Sequence, residues 1–367
     1  MTIEHASDAR EWDAFLTSQT FRPFLQSWTM GEVYADVGQE PVRLIARDEG
    51  GAIRGVCFAH LVPARRGRHL SVPYGPVVAD RTAVPVLLEE LSRVGGQEKC
   101  GFLRLSPFWT ESPDNEALLR AERARPSPLH LLGEKLWYLP LVEPDPWAAH
   151  EETAANGGAS SAIPSPRTDE SLLADMRKTT RNLIRRAERE GVEVSASENP
   201  ERDIDHFLRL HEETRQRHGF TPYTTAFFRT QVRRFAAVQQ CSLYLARYQG
   251  DILAASIHMH IGQETSYHHG ASTLAHRNIP ASYLLQWRAV QDSLKRGDRI
   301  YNFWGIAPPN ENGTARDPTH PFAGVTLFKT GFGGRLLSLV HSHDIPLSSG
   351  YALTRAFEFA RKWKRGF

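Results

Sequence analysis

Residues Tyr301–Arg335 read YNFWGIAPPNENGTARDPTHPFAGVTLFKTGFGGR. The stretch opens as a short apolar strand, Ile300 to Trp304, stopped by Gly305. A loop rich in Pro, Asn and Gly follows; such a segment cannot bury its own backbone, so it belongs at a surface or cleft. Gly324-Val-Thr-Leu-Phe328-Lys329-Thr-Gly331-Phe-Gly333-Gly334 then sets a lysine between an aromatic ring and a glycine-rich turn. Glycines let backbone approach a ligand closely. Taken alone, this is also how a loop with a solvated lysine would read, so the surroundings carry the weight.

Immediately upstream, Tyr283, Trp287, Val290 and Leu294 recur at helical spacing, with Ser282 as the expected cap and Gly297 as the expected stop. Before that helix, Leu243 to Tyr248, a turn at Gln249-Gly250-Asp251, and Ile252 to His260 predict a hairpin, extended by Thr265 to His269. The first half of the chain has the same order. Val42 to Arg47 and Ile53 to His60 flank a turn at Glu49-Gly-Gly51. Leu70 to Val78 is strand-like but broken by prolines. Val84, Leu87, Leu88, Leu91 and Val94 form a helical stripe closed by Gly95-Gly96, and Phe102 to Leu105 is the next strand. Leu44-Ile-Ala-Arg47 even resembles Leu243-Tyr-Leu-Ala-Arg247 just before each turn. A strand–turn–strand–helix–strand unit occurring twice predicts a duplicated α/β protein.

Between the halves, His150 to Pro166 is rich in Ala, Gly and Ser with almost nothing to bury, and reads as a linker. The expected organisation is a first domain over 1–148, a flexible segment over 149–170, and a second domain over 171–367. The helix expected at Leu172 to Glu190 carries Arg177, Arg181, Arg185 and Arg189 at spacings of four, widened by Lys178 and Arg186. A solvated face is one reading of such a run. Mutual repulsion among six cations makes phosphate contact the other.

The 367 residues exceed one ordinary core, and 41% hydrophobic with 23% charged residues fits a soluble globular chain. No apolar run approaches the roughly 20 residues of a membrane span and no leader is evident, so a cytoplasmic location is expected. Cys57, Cys100 and Cys241 are too scattered for a disulfide framework or a zinc knuckle. Net charge is only +2, so attraction to polyanions must come from local patches. His258, His260, His268 and His269 lack a carboxylate or cysteine at ligand spacing, and are expected in the core or a cleft rather than on a metal.

Several segments resemble, in collinear order, the Fem family of peptidoglycan bridge-forming peptidyltransferases. They are Gln26-Ser27, Val72-Pro-Tyr-Gly-Pro-Val-Val78, Met176 to Val194, Pro280-Ala-Ser-Tyr-Leu-Leu-Gln-Trp287, Tyr301 to Ile306, and Phe328-Lys329. The resemblance implies an α/β fold of two tandem GNAT-like domains, with mixed sheets and flanking helices. It implies transfer of Gly, Ala or Ser from aminoacyl-tRNA to the side-chain amine of a peptidoglycan precursor, either UDP-MurNAc-pentapeptide or lipid II. The family's functional lysine falls on Lys329 beside Phe328, and a phosphate-holding arginine falls on Arg217 within Glu213-Thr-Arg-Gln-Arg217-His-Gly-Phe220. Tyr223, Tyr34, Tyr74 and Trp304 are further expected at the substrate cleft, and Arg177, Arg181 and Arg185 at phosphate or tRNA. Two positions depart from the family. Tyr34 stands where an N-terminal lysine would meet phosphate, and Ser106 stands where an acidic residue often precedes proline. The long helical arm of some members has no counterpart.

The implied chemistry needs no cofactor or metal, because the donor ester is already activated and the nucleophile is an amine. A monomer is expected. The basic C-terminus, Arg361-Lys-Trp-Lys-Arg365, reads as a solvated helix end, with tRNA or peripheral contact with the inner membrane face as alternatives. Two other functions remain open at this stage: an acyl-CoA-dependent N-acyltransferase of the same fold, and a non-catalytic tRNA- or precursor-binding protein. Against the first, Arg277-Asn-Ile-Pro280-Ala-Ser282 puts a proline where a pyrophosphate cradle wants glycine and an amide donor.

Overall fold

The computed structural model describes residues 1–64, 68–149, 164–218 and 223–365. These form two compact units, Met1–Glu134 with Ser338–Phe367, and Lys135–Leu337. This partition differs from the expected boundaries at 148 and 171, and the reason lies in strand pairing. The first sheet runs Thr2–His5, Pro41–Arg47, Ile53–Val62, His69–Tyr74, Phe102–Pro107, His343–Pro346, Arg125–Pro126. The second runs Glu193–Ala196, Cys241–Tyr248, Asp251–Ile261, Glu264–Ser272, Ile300–Gly305, Lys135–Pro140, Arg335–Ser338. Each sheet takes its sixth strand from outside the span expected for its domain.

The duplication is visible strand by strand. In both sheets the second and third strands form an antiparallel hairpin, and the fourth and fifth pair in parallel across a helical crossover. The register slips between Ala46 and Arg47 in one hairpin and between Ala246 and Arg247 in the other. The short sequence likeness thus marks one bulge used twice. The crossover helices, Ala83–Gln97 and Ala281–Arg296, bury Leu87, Leu88 and Leu91 in one core and Leu284, Trp287 and Val290 in the other. Each such side chain contributes about 1.5–3 kcal/mol.

Local expectations need three corrections. Gly95 and Gly96 lie inside the first crossover helix rather than ending it, because a Cβ on Gly95 would come within 2.5 Å of the Leu347 side chain. Ser282 sits in the first turn of the second, whose N-cap is Pro280 with no side-chain cap, while Gly297 closes it in the left-handed conformation as expected. The basic helix is two helices, Asp169–Asp175 and Lys178–Arg189, broken where Met176 and Arg177 turn extended. Of the expected linker, residues 150–163 lie outside the described set. Ser165–Pro166 pairs with Val142–Glu143, and Thr168 with Ser171 makes a capping box.

In the first unit the returning strand is held by charge. Arg104 reaches both carboxylate oxygens of Asp344 (2.7 and 2.9 Å) and also Glu358 (2.6 Å), with Asp344 wholly buried. Removing one member of such a group leaves an uncompensated buried charge.

Candidate active site

The two sheets differ in their parallel pair. In the first unit all six residues of His69–Tyr74 stay paired with Phe102–Pro107. In the second, parallel pairing ends after Glu264–Ile300, Thr265–Tyr301 and Ser266–Asn302. Beyond Ser266 and Asn302 the two strands no longer pair with each other, and a split between parallel strands is the kind of place where α/β sheets bind ligands. Trp304 deepens the opening. It has φ +69, its N–H donates to Asn302 Oδ1 (2.9 Å), and its ring stands edge-on to His268 (centroids 5.3 Å). A bulky residue in this conformation is strained, which the local hydrogen bond offsets.

Lys329 bridges this gap. Its ammonium donates to the carbonyl of Gly305 on one strand (2.7 Å) and lies 5.6 Å from the ring centre of Tyr267 on the other. The lysine is 7% exposed, and burial pulls its pKa from 10.5 down to about 7. Near neutral pH the amine therefore gains and loses a proton readily. Tyr267 reaches the gap because Gly270 leaves room; a Cβ there would collide with the tyrosine hydroxyl.

The lysine is carried by a helix, Ala323–Thr330, where a loop was expected. Thr326, Lys329 and Thr330 make its buried face, while Val325 and Leu327 point outward. Thr326 Oγ1 accepts from the Ala307 N–H (2.9 Å), and Thr330 Oγ1 donates to the Gly313 carbonyl (2.7 Å). Phe328 does not screen the ammonium. Its ring packs on Tyr283 and Phe332, on another side of the helix. The glycines serve the protein's own packing: a Cβ on Gly331 would strike Thr180, and one on Gly334 would lie 2.3 Å from the Tyr138 carbonyl.

The arginines expected on phosphate are mostly committed elsewhere. Arg177 donates to the carbonyls of Leu327 and Asn312 (both 3.0 Å) and to Thr330 Oγ1 (2.6 Å), so it clamps the lysine helix. Arg181 caps the preceding helix through the carbonyls of Leu173, Ala174 and Met176. Arg185 and Arg189 remain exposed, as does Lys178. Arg217, on Pro200–His218, donates to the Ser272 carbonyl (2.8 Å) and so ties its helix to the end of Glu264–Ser272. Tyr223 is 46% exposed, stacks on Phe227 and stands edge-on to His269.

Two expected substrate residues belong to the first unit and are structural. Tyr74 is wholly buried with φ +55, and its hydroxyl donates to the Gly133 carbonyl (2.7 Å), so it has no surface to offer a ligand. Tyr34 is 8% exposed and stacks on His60. The Gln26-Ser27 motif is structural too. Gln26 donates to the carbonyls of Phe58 and Pro73 and accepts from the Phe58 N–H.

His258 and His260 behave as core residues. His258 bonds Tyr301, and His260 lies between Ser242 and Thr265. What sequence reasoning missed is the trio His130, Glu134 and His341, far apart in the chain. Glu134 Oε1 lies 2.9 Å from His130 Nδ1 and 2.7 Å from His341 Nδ1, while His341 Nε2 reaches the Ser127 carbonyl (2.8 Å). Burial alone would raise the Glu134 pKa, but hydrogen bonds from the two histidines lower it to about 2; His341 is raised in turn. With both ring nitrogens facing acceptors, the protonated form of His341 is favoured.

The turn that would cradle pyrophosphate in an acyl-CoA enzyme is poorly equipped for it here. At the start of Ala281–Arg296, Pro280 has no N–H, and the amides of Ala281 and Tyr283 are spent on Ile279 and Pro280 carbonyls.

Two repeated mixed sheets, one of them parted around a lysine, define a tandem GNAT-like α/β fold. Residues 174–312 match a family described as acetyltransferase (GNAT) domain. The fold is shared with FemX, whose crystal structure superposes with a TM-score of 0.76 at 17% identity, covering 98% of this chain and 100% of that one. It is also similar to the C-terminal domain of a putative lysylphosphatidylglycerol synthetase from Agrobacterium fabrum (TM-score 0.56, 14% identity, 95% of each chain). A tandem GNAT protein from the clavulanic acid biosynthesis pathway gives a TM-score of 0.52 at 13% identity, over 95% of this chain and 99% of that one. No curated protein sequence matches the chain. At these identities the likeness is one of fold.

Proposed function

We propose that the protein is an aminoacyltransferase that moves Gly, Ala or Ser from aminoacyl-tRNA to the side-chain amine of a peptidoglycan-precursor stem peptide. The observation that carries this reading is Lys329, buried across the parted strands of a FemX-like fold with its pKa near 7. The acceptor amine attacks the ester carbonyl of the donor. A C–N bond forms, the ester C–O bond breaks, and the proton lost by the amine ends on the departing ribose oxygen. Lys329 as ammonium stabilises the charge that develops on the carbonyl or leaving oxygen, and the lowered pKa lets it pass its proton to the latter and take up the one the amine loses. The low-dielectric pocket strengthens that field. Trp304 and Tyr267 wall the gap. Arg185 and Arg189 are the cations assigned to substrate phosphates, with Tyr223 beside the acceptor.

The alternative, an acyl-CoA-dependent N-acyltransferase, shares the fold and the parted strands. It is disfavoured by Pro280 and the committed amides behind it. The two separate in one experiment. Purified protein is given a pool of charged tRNAs, or acetyl-CoA, together with UDP-MurNAc-pentapeptide or lipid II, and products are weighed by mass spectrometry. The proposal expects a mass gain of one aminoacyl residue from the tRNA pool; an acetyl gain from acetyl-CoA alone would replace it with the alternative.

A further inference from the structure

The C-terminal helix, Tyr351–Arg365, is built inside out. Its polar side faces the protein. Tyr351 donates to buried Asp344 (2.8 Å), Glu358 is held by Arg104, and Arg355 donates to the Pro126 carbonyl (2.8 Å). At 100° per residue, Leu353 and Phe357, then Ala352, Ala356 and Ala360, then Phe359 and Trp363 form three adjacent rows on the opposite side. All seven are exposed; Trp363 is 90% exposed, Leu353 80% and Phe359 48%. A helix lying against a water-soluble body normally shows the reverse pattern. Isolated exposed apolar residues need no explanation, but a continuous face of this kind marks an interaction surface.

Charge says what covers it. Arg361 is exposed, and Lys364 and Arg365 continue the basic run in the sequence. The helix's one carboxylate, Glu358, is already bound to Arg104. A second copy docking through the same face would bring like charges together, which a two-fold interface disfavours. An anionic lipid surface satisfies both features. Apolar and aromatic side chains enter the head-group boundary while the basic residues meet phosphates. At about 1.5 Å per residue the helix is too short to span a bilayer, so it lies in the interface plane.

We propose that Tyr351–Arg365 is a peripheral docking helix for an anionic membrane surface, with Leu353, Phe359 and Trp363 as its inserting residues. The inference is independent of the transfer chemistry, because vesicle binding is read without either substrate. The full-length protein is sedimented with phosphatidylcholine vesicles, with or without phosphatidylglycerol, at low and high salt. The expected result is co-sedimentation with the anionic vesicles only, weakened by salt. It should fall at least about tenfold in the double variant Leu353→Glu, Trp363→Glu, whose sites are too exposed to matter for folding. Circular dichroism and the melting temperature check that the variant is folded. A wild-type protein that stays in the supernatant with anionic vesicles overturns the proposal, as does a folded variant that pellets equally well. A wild-type dimer that the variant converts to monomer, with neither binding vesicles, would assign the face to a second copy instead.

Discussion

At the scale of single residues, Lys329 makes two separable demands. If its charge acts as the ester reacts, Lys329→Met should cut turnover by roughly 10²-fold or more with substrate binding nearly intact. Single-turnover kinetics with binding measured in parallel would show this, and a shared loss in both would reassign the residue to the fold. The same change should also stabilise the protein in a pH-dependent way. The folded pKa of about 7 lies below the ordinary 10.5. Below pH 7 the folded state buries a cation and the cost is felt in full; between about 7 and 10.5 the folded state releases the proton and the cost shrinks. Melting temperatures of Lys329→Met minus wild type should therefore be most positive below pH 7 and fade toward pH 10.5. A difference that does not vary with pH would mean the lysine is not titrating where its burial puts it. The sequence singled out the lysine only through the collinear resemblance around Phe328-Lys329. Its true neighbours, Gly305 and Tyr267, were not, because they meet only through sheet pairing.

Among the elements, the basic helix Lys178–Arg189 shows where a charge pattern misleads. Spacings of four placed Arg177, Arg181, Arg185 and Arg189 on one stripe, but the break at Met176 turns the first two onto carbonyls. Arg181→Ala should accordingly cost about 1–3 kcal/mol of stability, through the orphaned carbonyls, and leave the salt dependence of tRNA binding unchanged. Replacing exposed Arg185 and Arg189 with Ala should do the opposite, lowering the slope of log affinity against log salt by about 1.5 with little change in denaturant midpoint. Filter binding over a salt series, beside urea unfolding, distinguishes the two, and an identical slope in both variants would return the helix to plain solvation. The lysine helix misled in the other direction. Gly324, Gly331, Gly333 and Gly334 signalled a loop, yet the residues between make two turns. Bonds from Thr326 and Thr330 to Ala307, Gly313 and Arg177, all outside the local sequence, fix them.

Over the whole molecule, the duplicated order of strands and the likeness of the segments ending at Arg47 and Arg247 were readable, because each rests on local periodicity and turn chemistry. The division of the chain was not. His343–Pro346 and Lys135–Pro140 choose sheets by long-range pairing, for which no short pattern exists. The first unit's closure by its returning segment gives a prediction of its own through Glu134 and His341. Glu134, held near 2, contributes stability above its ordinary value of 4.5 and loses it as pH falls through about 2. His341, raised above 6.5, contributes below 6.5 and loses it as pH rises through its raised value. Glu134→Gln should therefore lower the melting temperature most between about pH 4.5 and 6.5, and less on either side. A uniform loss across the range would deny the ion pair.

The reaction itself gives the most direct test of the central claim, that the parted strands around Lys329 form an aminoacyl-transfer site. Transfer of a labelled amino acid from charged tRNA to UDP-MurNAc-pentapeptide or lipid II should be followed in a single turnover, with wild type beside folded Lys329→Met. The account predicts precursor extended by one residue in the wild type, and a rate at least roughly 10²-fold lower in the variant. Wild-type protein that extends neither precursor with any charged tRNA, or a Lys329→Met protein that transfers at the wild-type rate, would contradict it.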